Sequence, residues 1–218
     1  MSTETARADS WLSRRLVPVG ADGGNVIVNY GGHPRGIRAH LWPRCTVCKS
    51  PMCHMAQVDA GPWLDVGENK RMSIFICHAT GGRCEDWDPW KGANRVLLHP
   101  ELDDNLYDGP PTVRVYRRVR LGLEPTVDER EQFRIGKERG LNSKQIWESL
   151  RYDKIGGAPV WVHGDDVPLS PTGVPMRLAM QRTADIVAFD STKGGMAWVF
   201  FDPTDPNENA ARLLWQGS

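Results

Sequence analysis

The feature that most constrains this chain is a match between its two halves. Gly31-Gly32-His33-Pro34 returns as Gly156-Gly157-Ala158-Pro159, and Trp42-Pro43 is answered by Val167-Pro168. Pro51, Met52 and Gln57 meet Pro175, Met176 and Gln181 at one spacing of 124 residues (51 to 175, 57 to 181). At that spacing Ser73-Ile74-Phe75-Ile76 falls on Ala197-Trp198-Val199-Phe200, and Ala93-Asn94-Arg95-Val96-Leu97-Leu98 resembles Ala210-Ala211-Arg212-Leu213-Leu214. Five blocks in one order are hard to produce by chance, so the chain reads as internally duplicated.

Each repeat reads as strands. The 22 glycines and 16 prolines call for many turns and short elements. Met52 to Val58 and Met176 to Ile186 alternate roughly between apolar and polar residues, as half-buried strands do. Ser73 to Cys77 and Met196 to Phe201 are continuous apolar runs suited to central strands. Between the repeats, Thr112 to Leu121 alternates valines with arginines and predicts a strand with a basic face. Thr126 to Arg139 and Asn142 to Arg151 predict helices, with Thr126 or Asp128 as first cap, Gly140 as terminator and Ile146–Leu150 as an apolar pair. The expected fold is α+β and predominantly β: two pseudo-symmetric, mostly antiparallel lobes joined by a helical connector. Its units are residues 1–100, a connector 101–153 and residues 154–218.

All five cysteines lie between Cys45 and Cys84. An odd, clustered set without an export signal argues for metal rather than disulfides. Cys45-Thr46-Val47-Cys48 is a knuckle that lets two thiolates converge on one ion, and Cys77 and Cys84 supply a wider pair with Gly81 and Gly82 between them. Four thiolates suit zinc and close its coordination shell, so the site is expected to be structural. In the second repeat Ser170 stands for Cys45, Thr172 or Gly173 for Cys48, and Phe201 for Cys77. Cys53, His54 or His78 could replace one ligand, although Cys53 and His54 face opposite ways on a strand. Buried free thiols or a redox pair at Cys45 and Cys48 are the competing readings.

No catalytic motif accompanies these cysteines: G-x-S-x-G, the P-loop, H-E-x-x-H and the dinucleotide fingerprint are all missing from the sequence. Charge is balanced at 27 basic and 27 acidic residues, which argues against a nucleic-acid binder. The local exception is Arg114, Arg117, Arg118 and Arg120, which could attract an acidic partner or nucleic acid, or simply protect a solvated strand edge. Gln57 and Gln181 end matched strands; their amides could bridge backbone where the lobes meet, or hold a bound peptide. No apolar leader or membrane-length stretch occurs, so a cytoplasmic location without membrane contact is expected.

The run Gly-Gly-x-Pro, Trp42-Pro43-x-Cys45-x-x-Cys48-x-x-Pro51-Met52, then Gln57, resembles the bacterial YwqG-like family, whose members have no settled activity. Lys154-Ile155-Gly156-Gly157-x-Pro159-x-Trp161 is similar to that family's repeated block, and Phe200-Phe201 through Leu214-Trp215-Gln216 to its closing strands. The match spans roughly 31–98 and 154–216 and omits the connector. The pattern also resembles the related eukaryotic programmed cell death protein 2, regarded as a chaperone for a ribosomal protein. The resemblance implies a duplicated β-rich fold and protein binding. The expected function is therefore a non-enzymatic module, chaperone-like, that holds an unidentified protein or peptide on strand edges or between lobes. The alternatives are an enzyme with its site near Gln57, Gln181 and His163, and RNA or DNA binding through the arginines.

Overall fold

The two continuous apolar runs become β4 (Arg71–Ile76) and β9 (Met196–Phe201), and every residue in them is buried. Their side chains alternate between two covered faces. Met72, Ile74 and Ile76, like Ala197, Val199 and Phe201, enter one large core, whereas Phe75, Trp198 and Phe200 pack into smaller clusters on the opposite face. A strand covered on both sides has no reason to alternate in polarity, which explains the unbroken runs.

The computed structural model describes residues 11–20, 24–66, 71–79, 83–99, 105–183, 195–205 and 210–217. The other strands are β1 (Leu12–Pro18), β2 (Val28–Tyr30), β3 (Cys53–Asp59), β5 (Asn94–His99), β6 (Val119–Asp128), β7 (Lys154–Gly156), β8 (Arg177–Thr183) and β10 (Ala211–Gln216). They form one sheet in the order β10-β9-β8-β7-β1-β6-β2-β3-β4-β5, antiparallel at every pairing. The edge strands β5 and β10 approach each other, so the sheet nearly closes. Trp87 meets Trp215 edge-on with ring centroids 6.1 Å apart, and the Arg212 guanidinium lies 4.8 Å from the Trp90 ring centre.

The architecture is thus mostly antiparallel β with two short α-helices among the described residues. Strands from both halves of the chain share one sheet and one core, in which the Tyr30 hydroxyl donates to Met180 Sδ at 3.4 Å. The two lobes expected from the sequence are not separate sheets. The helices, α1 (Glu129–Glu138) and α2 (Ser143–Ser149), join β6 to β7. Asp128 caps α1 by accepting from Arg130 N, and Gly140 follows it at φ 76°. Asn142 and Gln145 form a capping box on α2, and Ile146 and Leu150 are both buried. Among the described residues no helix is long and apolar enough to cross a membrane.

Two expectations need correction. The basic strand does not span 112–121: β6 begins at Val119 and runs through Gly122 and Pro125 to Asp128. Pro125 is tolerated because the pairing with β1 slips there, Arg14 facing Thr126 and Leu16 facing Leu123, so two residues of β6 oppose Arg15 alone. Nor are β3 and β8 half-buried, since all but their end residues are covered and His54, Gln57, Gln181 and Arg182 are buried with them. The stretch 184–186, expected to continue β8, lies outside the described residues.

Candidate metal centre and basic cavity

The sequence 43–52 turns back on itself. Met52 N donates to Pro43 O at 3.0 Å, Cys45 N to Ser50 O at 2.9 Å and Lys49 N to Cys45 O at 3.0 Å, with Lys49 in the left-handed region at φ 62°. This turn presents Cys45 and Cys48 to the end of β4, where Cys77 N bonds Ala93 O at 2.8 Å. Asn94 Nδ2 donates to the carbonyls of Asp86 and Asp88 at 2.8 and 3.1 Å and so holds the loop that carries Cys84. Gly81 and Gly82, expected to allow that loop to reverse, lie outside the described residues.

These elements bring the sulfurs of Cys45, Cys48, Cys77 and Cys84 within 4.8 Å of one another, three of the four residues being buried. Zinc at about 2.3 Å from each of four tetrahedral sulfurs requires them to stand roughly 3.8 Å apart. Cys48 Sγ and Cys77 Sγ are 3.5 Å apart, too far for a disulfide and close enough to share an ion. The donor set therefore fits a zinc ion. Hydrogen bonding from Ser50 draws the Cys48 thiol down to about 6, which favours its thiolate form. Burial first, then the neighbouring thiols, push Cys77 up. One thiolate thus opposes the next, and a bound cation relieves that opposition by favouring the deprotonated form of every ligand.

The three candidate substitutes lie elsewhere. Cys53 packs into the large core, His54 Nδ1 is 3.0 Å from Gly32 O, and His78 Nδ1 pairs with the Tyr116 hydroxyl. Around the cluster, Ile37, Trp42, Met52, Phe75 and Ala93 make a compact apolar shell, and Trp42 Nε1 donates to Met52 O at 2.9 Å.

The second half carries a hydrogen-bonded counterpart without thiols. Met176 N donates to Pro168 O and Ser170 N to Val174 O, at 2.9 and 2.8 Å. Asp202 N donates to Ala210 O at 2.8 Å, as Cys77 N does to Ala93 O. The residue in the place of Cys77 is thus Asp202 rather than Phe201, whose side chain enters the large core. The one-residue difference arises in the hairpin, since Gln57 pairs with Ser73 but Gln181 with Trp198. Hydrogen bonds from Thr204, with a smaller one from Ser170, hold the Asp202 carboxyl below the usual carboxylate range, and Ser170 Oγ lies 2.8 Å from Thr172 Oγ1.

Gln57 and Gln181 each clasp backbone of their own half. Gln57 Oε1 accepts from Arg35 N at 3.0 Å, while Nε2 donates to Arg35 O and Ser73 Oγ, both at 2.9 Å. Gln181 Oε1 accepts from Val160 N at 2.7 Å and Trp198 Nε1 at 3.2 Å; its Nε2 donates to Leu150 O and Tyr152 O at 3.3 and 3.0 Å. His163 Nε2 lies 2.7 Å from Gly217 O.

The four arginines do not form a row. The Arg114 guanidinium lies 4.8 Å from the Tyr116 ring centre, Arg117 is exposed, and Arg118 and Arg120 donate to His33 O and Gly20 O at 3.0 and 2.9 Å. Arg118 and Arg120 line a cavity of about 260 Å³ together with Gln57, Asn29, His33 and Arg35, with Val26 and Leu106 as its apolar lining. Arg35 is neutralised by Asp59, which also pairs with Arg71 at 2.8 Å, and His33 lies 3.5 Å from the exposed Asp108. Arg118 and Arg120 have no carboxylate partner among the described residues. Three sequence candidates thus meet at one concave site; Asn29, His33 and Arg35 join them from the segment around the first Gly-Gly-x-Pro turn, which the sequence marked only as a turn. No protein-family model matches the chain, and no curated protein matches it either.

Proposed function

We propose that this chain is a non-enzymatic peptide-binding module of the YwqG-like type, internally duplicated, with a structural zinc in its first half. The observation that carries the binding reading is the cavity itself. It gathers hydrogen-bond donors and two guanidiniums with no carboxylate partner among the described residues, a set suited to recognising an acidic group. Its position beside β2 and β6 puts one anchoring pocket on the face of the sheet where the two halves of the chain meet.

The duplication reading is supported by the strand order, which is unchanged when β1 to β5 are exchanged with β6 to β10. It is supported again by the register slips, between His54 and Ala56 in β3 and between Leu178 and Met180 in β8. On this reading the zinc clamps the knuckle of one half to its central strand, where the other half uses Ser170, Thr172, Asp202 and Thr204. Zinc in a closed thiolate shell supplies folding energy rather than chemistry. A cytoplasmic setting, with reduced thiols, suits this role.

The experiment is affinity capture from native lysate with the intact chain and with Arg118→Ala/Arg120→Ala side by side. A specific partner enriched by the first and lost with the second is the expected result. Identical captures with both chains, or no enrichment across a range of salt, count against the binding reading.

A further inference from the structure

The second half of the sheet contains a filled version of the cavity. There, Gly156 and Gly157 adopt positive φ of 69° and 77°, and the next residue, Ala158, donates its N–H to Glu129 Oε2 at 2.8 Å. Lys154, on β7, donates to Glu129 Oε1 at 2.6 Å and to Ala158 O at 2.7 Å. Both charged side chains are completely buried. A Cβ on Gly157 would stand 2.7 Å from the carboxylate, so the glycine is what lets the acid approach the backbone. Gln181 pairs with Lys154 across the strands and fixes Val160 N beyond the proline.

The first half repeats this cradle. Gly31 and Gly32 adopt φ of 61° and 66°, and His33 follows where Ala158 does. Asn29 pairs with Gln57 across β2 and β3 as Lys154 does with Gln181, and Gln57 fixes Arg35 N as Gln181 fixes Val160 N. A cation again donates to the turn: Arg118 Nη2 bonds His33 O, in the way Lys154 Nζ bonds Ala158 O. The Arg118 side chain covers Gly32, where a Cβ would meet its Nε at 2.5 Å. One component is missing. Among the described residues no carboxylate accepts from His33 N or pairs with Arg118 and Arg120; the Arg118 guanidinium stands over Gly32 as Glu129 stands over Gly157, and His33, Arg118 and Arg120 line the cavity.

We propose that this cavity binds a carboxylate, the side chain of a glutamate or aspartate in a peptide partner. This rests on the peptide-binding reading and narrows it. The guest carboxylate plays the part of Glu129 from a place beside the Arg118 guanidinium, which itself stands over Gly32, accepting from His33 N and from the guanidiniums of Arg118 and Arg120, with Asn29 as a neutral donor beside it. Guanidinium–carboxylate pairs are planar and can be bidentate, so two arginines in place of one lysine suit a guest that must be captured from water. A carboxylate built into the chain needs no such capture, and Lys154 alone suffices for it.

The test uses the zinc-replete full chain, labelled with nitrogen-15, and follows the His33 amide and the Arg118 and Arg120 Nε–H signals. The probes are acetyl-Gly-Glu-Gly-amide, its Gln analogue, acetyl-Gly-Gln-Gly with a free C-terminus, and inorganic phosphate. The Glu peptide is expected to shift these signals saturably with a Kd of about 1–10 mM, and the Gln amide at least about tenfold more weakly. Arg120→Gln, which leaves the bond to His33 O intact, is expected to weaken the Glu peptide by about tenfold with the thermal midpoint unchanged. No saturable shift at His33, equal response to Glu and Gln, or indifference to Arg120→Gln would overturn the proposal. Tighter binding of the free C-terminus or of phosphate would overturn the side-chain assignment. These outcomes are separable from the wider reading: a partner captured specifically while the Glu peptide fails refutes only the carboxylate site.

Discussion

Replacing Glu129 by alanine tests the contrast between the filled and open cradles most directly. The variant loses the acceptor for Ala158 N and the counter-ion of Lys154, whose ammonium is then left in the interior with Ala158 O as its remaining hydrogen-bond partner. Removing one member of a buried pair costs about 3–5 kcal/mol, most of it from the uncompensated charge that remains. The pH dependence follows from Lys154. Burial lowers its pKa below the usual 10.5, partly offset by the charge and hydrogen bond of Glu129. Without Glu129 both offsets vanish and the folded-state pKa falls further. Between that lowered pKa and 10.5 the unfolded chain binds more protons than the folded one, so stability rises with pH through this window. The deficit of Glu129→Ala is therefore greatest at low pH and shrinks as the pH climbs. Urea unfolding at about pH 6 and about pH 9, with unchanged m-values, measures it. Glu129→Leu with Lys154→Met should be less damaging than the single change, because no charge is stranded, while Ala158 N–H and C=O keep it short of full recovery at about 1–3 kcal/mol each. A single variant within about 1 kcal/mol of the parent, or a deficit independent of pH, would refute this account of the cradle.

Metal analysis of the purified chain should find about one zinc per molecule, and Cys45→Ser should lose both metal and several kcal/mol of stability; a metal-free chain of full stability removes the centre. Gln181→Ala abandons four hydrogen bonds in the interior and is expected to cost about 2–4 kcal/mol. Gln57→Ala, beside the open cavity where water can replace the amide, should cost about half as much in the same denaturant titration, and equal losses would contradict the difference in their surroundings. Gly157→Ala combines a positive φ with a Cβ 2.7 Å from the Glu129 carboxylate, and should cost more than about 2 kcal/mol, whereas Gly173→Ala, where nothing lies within 4 Å of the added Cβ, carries the backbone penalty alone.

Much of this fold can be read from local pattern, and the exceptions have physical causes. Met196 to Phe201 is recognisable as a strand because its neighbours on both faces are apolar, so burial leaves a continuous imprint on the sequence. The caps at Asp128 and Asn142 are recognisable because they act within one turn. β6 is hidden because its punctuation, Gly122 and Pro125, is tolerated only at a slip against β1 more than a hundred residues away in sequence. The alternating valines and arginines just before it imitate a strand, while the chain there turns at 111–113 and belongs to no strand as far as Arg118. Buried polar residues in β3 and β8 read as surface positions because their partners, the backbone of Arg35 and Val160, are supplied by turns.

The thiol cluster and the cavity differ in legibility for a related reason. Four cysteines announce their common purpose by residue type alone, because few chemistries use thiols in that number, and the fold needs only to bring them together. The cavity is composed of common residues whose meaning lies in what is absent beside them. Its one trace in the sequence is a broken match between the two halves: both have the Gly-Gly turn and the glutamine, but Asn29 stands in the one where Lys154 stands in the other. Asn29 brings no cation to that position, and among the described residues no carboxylate pairs with Arg118 or Arg120 there either. The cations beside it, Arg118 just before β6 and Arg120 at its start, stay partly hydrated. A cradle that waits for its acid must hold its charge in contact with water, and a cradle that contains its acid can bury both. On the proposed binding reading, the difference between Lys154 and Asn29 separates a structural use of the turn from a binding use, in one chain and on one sheet.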